Sequence, residues 1–523
     1  MAISTNAGRR LMIGIRGKTL DSETHCHLEN IRPGSVILFS RNIESVQQVK
    51  SLIREIKETV TPPPLIAIDQ EGGLVVRFFK EVAIMPGNMA LGAIRSCDLA
   101  RRQGIVTGRE LKNVGIDINL APVVDVVTGY DNPGITIRSF GACPAAAGEL
   151  GSSLVAAMQS EGVAAVAKHF PGKGAAVKDA HVDLPTVEAS WRDLQDIHLA
   201  PFAACIKSGV QGVMSSHVIY SRLTGSDTLP ATFSRDLVTG WLRQTADFQG
   251  VTFSDDLEMG AIARFFPFAE AVLKAAQAGH DMVLVCSDYE KQRIARDVLA
   301  EACEQDRTFA EEADISGRRI DTLAHFCSQH RSSDAQSSMP ETAGILAAEI
   351  ARKSVTVINA SGLLPIPDNL RSIAAIIPDL KDIESREEGL EAGENNVVAG
   401  MLKKSFAGGR IAPLFLSLDT TESDVADVIS RAAQSSIVVA FIFNARYSPS
   451  QRFLLDCLQQ RGTPCIFVLM RNPFDLEYVK PETPAVITYG YRIVQLEAAV
   501  EVLAGRLAAR GQLPFSMRPY GTC

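Results

Sequence analysis

The chain has 523 residues, of which 46% are hydrophobic and 21% charged, with a formal net charge of −8 and a pI near 5.7. This length exceeds what one ordinary hydrophobic core supports, so we expect two globular domains. The acidic balance argues against a general nucleic-acid binder, which needs a basic face.

The ten cysteines are scattered singly, with no CxxC spacing. Neither a structural zinc site nor a disulfide framework is indicated, and buried free thiols in a reducing compartment are the plain interpretation. The N-terminus has no long apolar core before a cleavage site, and no apolar run reaches the ~20 residues of a membrane span. The sequence therefore predicts a cytoplasmic protein that does not enter a membrane.

Up to about residue 330, short apolar runs alternate with helix-like runs. The predicted strands are 35–39, 65–68, 116–120, 163–166, 210–215, 251–253 and 281–286. The predicted helices between them include 44–60, 98–113, 145–160, 191–207, 234–244 and 269–278. Several strands run into polar groups, and this is typical of a TIM-type barrel with its active site at the carboxyl ends of the strands. A doubly wound open sheet is the alternative, but no GxGxxG or GxxxxGK[ST] motif follows a strand.

The segment Ser332 to Glu341 is Ser-rich and lacks periodicity, so it indicates a linker. After it the alternation of strands and helices restarts as a smaller α/β sandwich. We therefore expect a catalytic barrel over residues 1–335 and an accessory domain over residues 336–523. Titratable residues in the second part are dispersed, and the sequence assigns no chemistry to it.

The densest cluster of titratable residues lies in the stretch from Lys168 to Pro185, KHFPGKGAAVKDAHVDLP, directly after an apolar run. Within it, Asp179 precedes His181 by two positions. A carboxylate beside an imidazole can set its tautomer and stabilise its charge, which suits a proton donor near neutral pH. For so short a motif, a solvated loop is the alternative interpretation.

Six segments in order resemble glycoside hydrolase family 3, and most closely its NagZ-type β-N-acetylglucosaminidase branch. They are ILFSRNI (37–43), IDQEGGLVVRF (68–78), INLAPVVDV (118–126), IRSFG (137–141), PATFS (230–234) and FSDDLEM (253–259). The second half resembles the accessory domain of the family more weakly, through IARKSVTVINASGLLPI (350–366) and GQLPFSM (511–517). The resemblance implies a TIM-type (β/α)8 barrel followed by a smaller α/β sandwich domain.

The resemblance also implies a retaining exo-β-N-acetylglucosaminidase that hydrolyses terminal β-linked N-acetylglucosamine through a covalent glycosyl-aspartate intermediate. Asp255 matches the nucleophile of the family, His181 its acid/base and Asp179 the carboxylate partner of that histidine. The residues that match those holding the sugar are Asp69, Arg77, Arg138, Lys168 and His169. The implied partner is a small-molecule or oligosaccharide glycoside, with no metal and no organic cofactor.

The residues also admit structural roles. Asp255 and Asp256 both fit a helix N-cap. Each charged binding candidate fits an internal salt bridge at a strand end. His217 ends a strand and fits a satisfied core histidine as well as a pocket residue, and we do not include it in the predicted site.

Three positions depart from the family pattern: Lys173 replaces the histidine of PGHG, Ala180 a serine, and Leu74 an arginine. They leave the sugar open, so a glycosidase for another β-linked sugar and an inactive glycan-binding protein are alternatives. A β-glycoside phosphorylase is another, because a histidine acid/base carries no negative charge that would repel phosphate. The sequence does not select the natural substrate, the acceptor or the oligomeric state.

Overall fold

The computed structural model describes residues 7–176, 184–226, 228–329, 343–359, 362–367, 372–379 and 397–516. The first part of the chain forms a closed barrel of eight strands, and the second part forms a six-stranded sheet. The predicted fold class, a TIM-type barrel followed by a smaller α/β domain, is confirmed. The predicted boundary between residues 335 and 336 lies outside the described residues and stays a prediction.

All neighbouring strands of the barrel run parallel, including the first and last, whose pairing closes it. The strands are β1 (Leu11–Gly14), β2 (Ser35–Leu38), β3 (Leu65–Ile68), β4 (Ile118–Asn119), β5 (Ala164–Phe170), β6 (Gly212–Ser215), β7 (Val251–Asp256) and β8 (Met282–Val285). Parallel strands bring all their carboxyl ends to one face of the barrel. The polar residues that follow the strands therefore meet at that face.

Helices connect the strands and cover the outside of the barrel. They are α1 (Ser22–Ile31), α2 (Val46–Thr59), α3 (Asn88–Ile94), α4 (Cys97–Val114), α5 (Pro144–Ser160), α6 (Trp191–Asp193), α7 (Ala200–Lys207), α8 (Ser221–Thr224), α9 (Gly260–Ala263), α10 (Phe268–Ala278), α11 (Tyr289–Gln305) and α12 (Arg307–Gln329). In α2, Val49, Leu52 and Ile56 are buried at helical spacing, and the Ser45 side chain caps the first turn by accepting from the Gln48 N–H. Apolar residues at this spacing form one face that is buried against the strands, and this amphipathic pattern predicts the helix.

The predicted helices 44–60, 98–113 and 145–160 are confirmed to within two residues. The predicted helix over 191–207 is helical in the structure, with a π-helical turn, Leu194–His198, between α6 and α7. Pro201 lies in the first turn of α7 and has no N–H to donate to the preceding turn, which disfavours a continuous α-helix there. β1, α1, α3, α8, α9, α11 and α12 were not predicted from the sequence.

Apolar side chains fill the barrel interior, among them Met12, Val166, Met214 and Phe253. The same cluster includes Ile320, Leu323 and Cys327 of α12. The Cys327 thiol lies 3.3 Å from the carbonyl oxygen of Asp117, next to the start of β4. Helix α12 therefore closes the amino end of the barrel, and the carboxyl end is left for a site.

The second sheet has the order β11-β10-β12-β13-β14-β9, and only β9 runs antiparallel to its neighbour. Its strands are β9 (Thr356–Ile358), β10 (Ser372–Pro378), β11 (Arg410–Leu416), β12 (Ile437–Ile442), β13 (Cys465–Leu469) and β14 (Ala485–Ile487). Within the described ranges, the helices of this domain are α13 (Ala343–Ser354), α14 (Val397–Ser405), α15 (Glu422–Ala432), α16 (Pro449–Gln460) and α17 (Ile493–Leu503).

The second domain is hydrogen-bonded to the barrel loops that follow β3 and β4. The Arg492 guanidinium donates to the carbonyl oxygen of Gly73, with Nε at 2.9 Å and Nη2 at 2.7 Å. Arg471 Nη1 donates to Thr136 Oγ1 at 2.7 Å, and Arg492 and Arg471 are both buried. These contacts hold the second domain beside the carboxyl end of the barrel.

The cysteines depart in part from the expectation of buried free thiols. Cys143 is disulfide-bonded, and its partner lies outside the described residues. Cys26 and Cys97 are free but exposed. The expectation is therefore wrong for these three, since spacing along the chain does not report exposure or a pairing between distant residues. Within the described ranges, no helix combines the length and apolar character needed to cross a membrane.

Candidate active site

A cavity of about 660 Å³ opens at the carboxyl end of the barrel. Its apolar lining includes Met214 and Leu284 from inside the barrel. Six residues predicted from the sequence also line it: Asp69, Arg77, Arg138, Lys168, His169 and Asp255. The fold thus brings together side chains that are separated by up to 186 positions (255 − 69) along the chain.

Two strands change register where they meet the cavity. The pairing of β5 with β6 shifts between Lys168 and Phe170, and that of β7 with β8 shifts between Phe253 and Asp256. Such irregularities re-aim side chains and are frequent beside active sites. They account for the appearance of consecutive residues at the cavity wall, Lys168 with His169 and Asp255 with Asp256.

A buried ion network covers one side of the cavity. Lys168 Nζ lies 2.6 Å from Asp69 Oδ1 and 2.7 Å from Glu71 Oε1. Arg138 binds Glu71 through two parallel hydrogen bonds, from Nη2 to Oε1 at 2.8 Å and from Nε to Oε2 at 2.9 Å. Arg77 Nη2 lies 3.5 Å from Asp69 Oδ2. These residues therefore fit the salt-bridge alternative, and they fit a role in binding equally well.

Glu71, Lys168 and Arg138 stay charged at neutral pH. Burial raises the pKa of Glu71, but the nearby charges of Arg138 and Lys168 outweigh it and lower that pKa to about 2. Burial lowers the pKa of Lys168, and Asp69 and Glu71 outweigh it, so that pKa lies above its usual value. Fixed charges of this kind give a hydroxyl-bearing ligand strong donors and acceptors of defined direction.

His169 is held by a carboxylate beneath the network. Its Nδ1 lies 2.8 Å from Asp125 Oδ2, and Asp125 Oδ1 accepts from the Lys173 N–H at 2.7 Å. Burial raises the pKa of Asp125 to about 6, although Lys173 opposes this. The other ring nitrogen of His169 lies 3.4 Å from Arg138 Nη2. The imidazole plane is thereby fixed at the cavity wall.

The two aspartates at the end of β7 have different hydrogen-bond partners. Asp256 Oδ1 accepts from the backbone N–H of Glu258 at 3.1 Å and of Cys286 at 3.3 Å. Asp255 Oδ1 accepts from the Asp256 N–H at 3.0 Å. The N-cap alternative fits neither aspartate, because the helix that follows begins at Gly260 with Met259 at its N-cap, and Asp256 instead closes the intervening turn at Glu258.

Their charges differ as well. Burial raises the pKa of Asp255, but Lys173 and then His217 outweigh it, so that the pKa lies below its usual value. Burial raises the pKa of Asp256 to about 7. Asp255 is therefore an ionised carboxylate at neutral pH, as a nucleophile requires.

Asp179 and His181 lie within residues 177–183, outside the described part of the chain. Their placement stays a prediction. On the N-terminal side of this segment, Lys173 is buried and lines the cavity.

Sequence reasoning missed two buried carboxylates, Glu71 and Asp125. Both lie inside the segments that carry the family resemblance, DQEGG and INLAPVVDV. The one available signal was a charged residue in or beside an apolar run, where a buried carboxylate needs partners. Their role depends on which cations the fold brings to them, and that is not visible in the local sequence.

The second domain contributes to the cavity through Asn444, Tyr447 and Arg471. The sequence assigned no chemistry to this domain, and in the structure these three side chains line the cavity. They follow β12 and β13, and nothing in their local sequence reports that the two domains meet there.

His217 is buried and does not line the cavity. Its Nδ1 lies 2.8 Å from Thr232 Oγ1, and its Nε2 lies 2.9 Å from the carbonyl oxygen of Asp256. The core-histidine alternative therefore fits it. Among the described residues, no group of three or more His, Cys, Asp or Glu side chains is placed to hold a metal ion.

Comparison with known proteins gives a consistent picture. Residues 10–323 match the model described as glycosyl hydrolase family 3 N terminal domain. Beta-hexosaminidase A of Pseudoalteromonas piscicida is 29% identical over 547 residues, covering 92% of this chain and 89% of that protein. Beta-hexosaminidase of Thioalkalivibrio sulfidiphilus is 37% identical over 295 residues, covering 55% of this chain and 84% of that protein.

A solved structure is similar along the whole chain. It is a glycoside hydrolase family 3 beta-N-acetylglucosaminidase from Paenibacillus sp. str. FPU-7, with a TM-score of 0.90 and 30% sequence identity. The alignment covers 100% of both chains. The similarity therefore includes the second domain as well as the barrel.

Proposed function

The chain belongs to glycosyl hydrolase family 3, and on that premise we propose that it is a retaining exo-β-N-acetylglucosaminidase. Its substrate is a glycoside or oligosaccharide with a terminal β-linked N-acetylglucosamine. The relatives named beta-hexosaminidase and the similar beta-N-acetylglucosaminidase structure support this choice of sugar. One observation carries the mechanism, namely the ionised Asp255 in the cavity that the charged network lines.

In the first step the Asp255 carboxylate attacks the anomeric carbon, and the bond to the leaving oxygen breaks. His181, protonated, gives its proton to that oxygen, and the product is a glycosyl ester of Asp255. In the second step a water attacks the anomeric carbon and gives a proton to His181, and Asp255 is released. Two inversions give net retention. The role of His181, with Asp179 as its partner, rests on the family resemblance, because both lie outside the described residues.

We assign the binding of the sugar to Asp69, Arg77, Arg138, Lys168 and His169. All five line the cavity with charged or hydrogen-bonding groups. Their mutual ion pairs fix their positions before the substrate arrives, so less entropy is lost on binding. Glu71 contacts Lys168 and Arg138, and Asp125 contacts His169, so these two carboxylates hold the binding residues in place.

A panel of p-nitrophenyl β-glycosides, each assayed with and without phosphate, tests this function. We expect release of p-nitrophenol from the N-acetylglucosaminide at a rate that does not depend on phosphate, and N-acetylglucosamine that is first detected by NMR as the β-anomer. Sugar 1-phosphate as the product would instead show a phosphorylase. Preference for another sugar would contradict the assigned substrate, and binding without turnover of any glycoside would show an inactive glycan-binding protein.

Lys173→Met is expected to move the acid limb of the kcat/KM pH profile to higher pH. After burial, the Lys173 charge has the largest effect on the pKa of Asp255, which it lowers. Its removal raises that pKa, so Asp255 becomes protonated, and activity is lost, at a higher pH. The profile is measured between about pH 4 and 8, with Lys173→Arg as the control that keeps the charge. An unchanged acid limb in Lys173→Met contradicts this electrostatic role.

A cytoplasmic location stays a prediction. Eight free thiols in the described part of the chain support it, because thiols persist in a reducing compartment. The disulfide-bonded Cys143 opposes it for the same reason.

A further inference from the structure

A series of buried polar side chains, each in contact with the next, lies behind the end of β7 and does not line the cavity. It begins at His217, whose Nε2 lies 2.9 Å from the carbonyl oxygen of Asp256. Asp256 directly follows Asp255 at the end of β7, and its N–H donates to Asp255 Oδ1. The imidazole therefore holds the main chain one residue beyond the proposed nucleophile.

From His217 the series continues away from the cavity through the hydroxyl groups of Thr232 and Ser215. Thr232 Oγ1 lies 2.8 Å from His217 Nδ1 and 3.1 Å from Ser215 Oγ. Ser215 Oγ lies 2.8 Å from His280 Nε2, and His280 Nδ1 lies 2.9 Å from the carbonyl oxygen of Ala275. His217, Thr232, Ser215 and His280 are all buried. The series runs from the end of β7 past the end of β6 to the end of α10.

Proton counting fixes the state of the outer histidine. A carbonyl oxygen only accepts, so His280 Nδ1 carries a proton that it donates to Ala275. Burial lowers the pKa of His280 to about 4, so the ring is neutral at neutral pH. Its Nε2 then accepts, and the Ser215 hydroxyl is the donor. With its one proton given to His280, the Ser215 hydroxyl does not donate to Thr232 Oγ1, 3.1 Å away.

The same counting leaves His217 with two states. Its Nε2 faces a carbonyl oxygen and therefore carries a proton. When the Thr232 hydroxyl donates to Nδ1, the ring is neutral. When that hydroxyl turns to the carbonyl oxygen of Ser216, 2.9 Å away, Nδ1 can carry a proton and donate to Thr232. Both states keep these two nitrogens hydrogen-bonded, so His217 can change its charge inside the core without leaving a polar atom unpaired.

We propose that His217 is a positioning residue for the end of β7, which carries Asp255, and that the Thr232 hydroxyl allows it to do so with a proton on both nitrogens. The inference rests on the proposed function, because it requires Asp255 to be the nucleophile. A cationic His217 favours the ionised form of Asp255, in the same direction as Lys173. Among the described residues, Asp256 and the neutral His280 also lie at this junction, and the charges of Asp281 and Arg243 act on His280.

Thr232→Val keeps the shape of the side chain and removes the hydroxyl, and Thr232→Ser is the matched control that keeps it. In Thr232→Val a protonated His217 loses the acceptor for its Nδ1 proton, so the neutral ring is favoured. We expect kcat to fall by about 10- to 100-fold, with the acid limb of kcat/KM at higher pH. We expect Thr232→Ser to stay within about 3-fold of the wild type, with an unchanged profile.

The attack of Asp255 itself is measured with a 5-fluoro N-acetylglucosaminyl fluoride, which forms a slowly hydrolysed glycosyl ester. Mass spectrometry gives the labelled residue and the rate of labelling. We expect Asp255 to be labelled in the wild type, and about 10- to 100-fold more slowly in Thr232→Val and in His217→Gln. The affinity for a competitive sugar inhibitor is expected to stay unchanged, since neither position lines the cavity.

The outcomes separate the two proposals. A wild type that turns over substrate but is labelled elsewhere than at Asp255 contradicts the proposed nucleophile. Labelling of Asp255 at the wild-type rate in both folded variants overturns the positioning role of His217. Slower labelling with an unmoved pH profile overturns the protonated state and leaves the positioning role standing. Thermal unfolding of each variant shows whether it is folded, and His217→Gln supplies the test if Thr232→Val is not.

Discussion

Replacing Asp255 by alanine is expected to lower kcat/KM for the p-nitrophenyl N-acetylglucosaminide by roughly 10³- to 10⁵-fold, because no other group then attacks the anomeric carbon. Asp255 is the cavity-lining carboxylate at the end of β7 whose pKa is held below its usual value. Initial rates with purified wild-type and variant proteins measure the loss.

The matched control is the neighbouring Asp256→Asn, because Asn keeps an oxygen that can accept from the Glu258 and Cys286 N–H groups. We expect a loss of no more than about 10-fold for it. Near-equal losses in the two variants would contradict the distinction between the nucleophile and its structural neighbour.

An added nucleophile identifies the step that Asp255 carries. Alanine leaves space below the anomeric carbon, and azide in that space can attack a substrate with a dinitrophenolate leaving group. Since azide replaces Asp255 in a single inversion, the expected product is the α-glycosyl azide. Full activity of Asp255→Ala without azide would instead indicate that the N-acetyl group of the substrate is the nucleophile.

The barrel and most of its strand ends were predictable because they follow from local patterns. A strand buried on both faces is a continuous apolar run, so β2, β3 and β8 are visible in the sequence with their polar followers. β4 was predicted over 116–120 but forms only Ile118–Asn119. Asp117 there accepts from Lys57 at 2.7 Å and from the Ile66 N–H at 3.0 Å, a long-range arrangement that a local pattern does not contain.

The parts that could not be predicted depend on how elements meet. Asp125 is a single acid in an apolar run, and its partners Lys173 and His169 come from another strand end. Arg471 reaches the cavity because two domains dock, with its guanidinium on Thr136 of the barrel. The acid/base pair Asp179 and His181 was proposed from the sequence and the family resemblance alone, and it stays a proposal.

Glu71→Gln is expected to lower the free energy of unfolding by about 3 kcal/mol at pH 7. The pKa of Glu71 falls from 4.5 to about 2 in the folded protein, and each unit corresponds to about 1.4 kcal/mol. Removal of the Glu71 charge breaks the ion pair with Arg138. Lys168 then keeps only one of its two carboxylate contacts, the one with Asp69. Breaking a buried ion pair costs about the same, roughly 3–5 kcal/mol.

Unfolding by urea at several pH values measures this loss. The matched control is Glu311→Gln, which removes an exposed carboxylate paired with Arg307 at 3.0 Å on α12. A surface pair of this kind is worth less than about 1 kcal/mol. Equal destabilisation by the two variants would contradict the buried network as a source of stability.

The pH dependence has a definite sign. A folded-state pKa below the unfolded value stabilises the protein above the unfolded pKa, and that stabilisation is lost as the pH falls through the folded value. The difference between wild type and Glu71→Gln is therefore expected to be largest above pH 4.5 and to shrink as the pH falls toward about 2. We also expect kcat/KM to fall by about 100-fold at neutral pH, since Arg138 and Lys168 lose the group that fixes their positions. A stability loss without a loss of activity would show that these two cations do not hold the sugar, and the sugar-binding role assigned to them would have to be withdrawn.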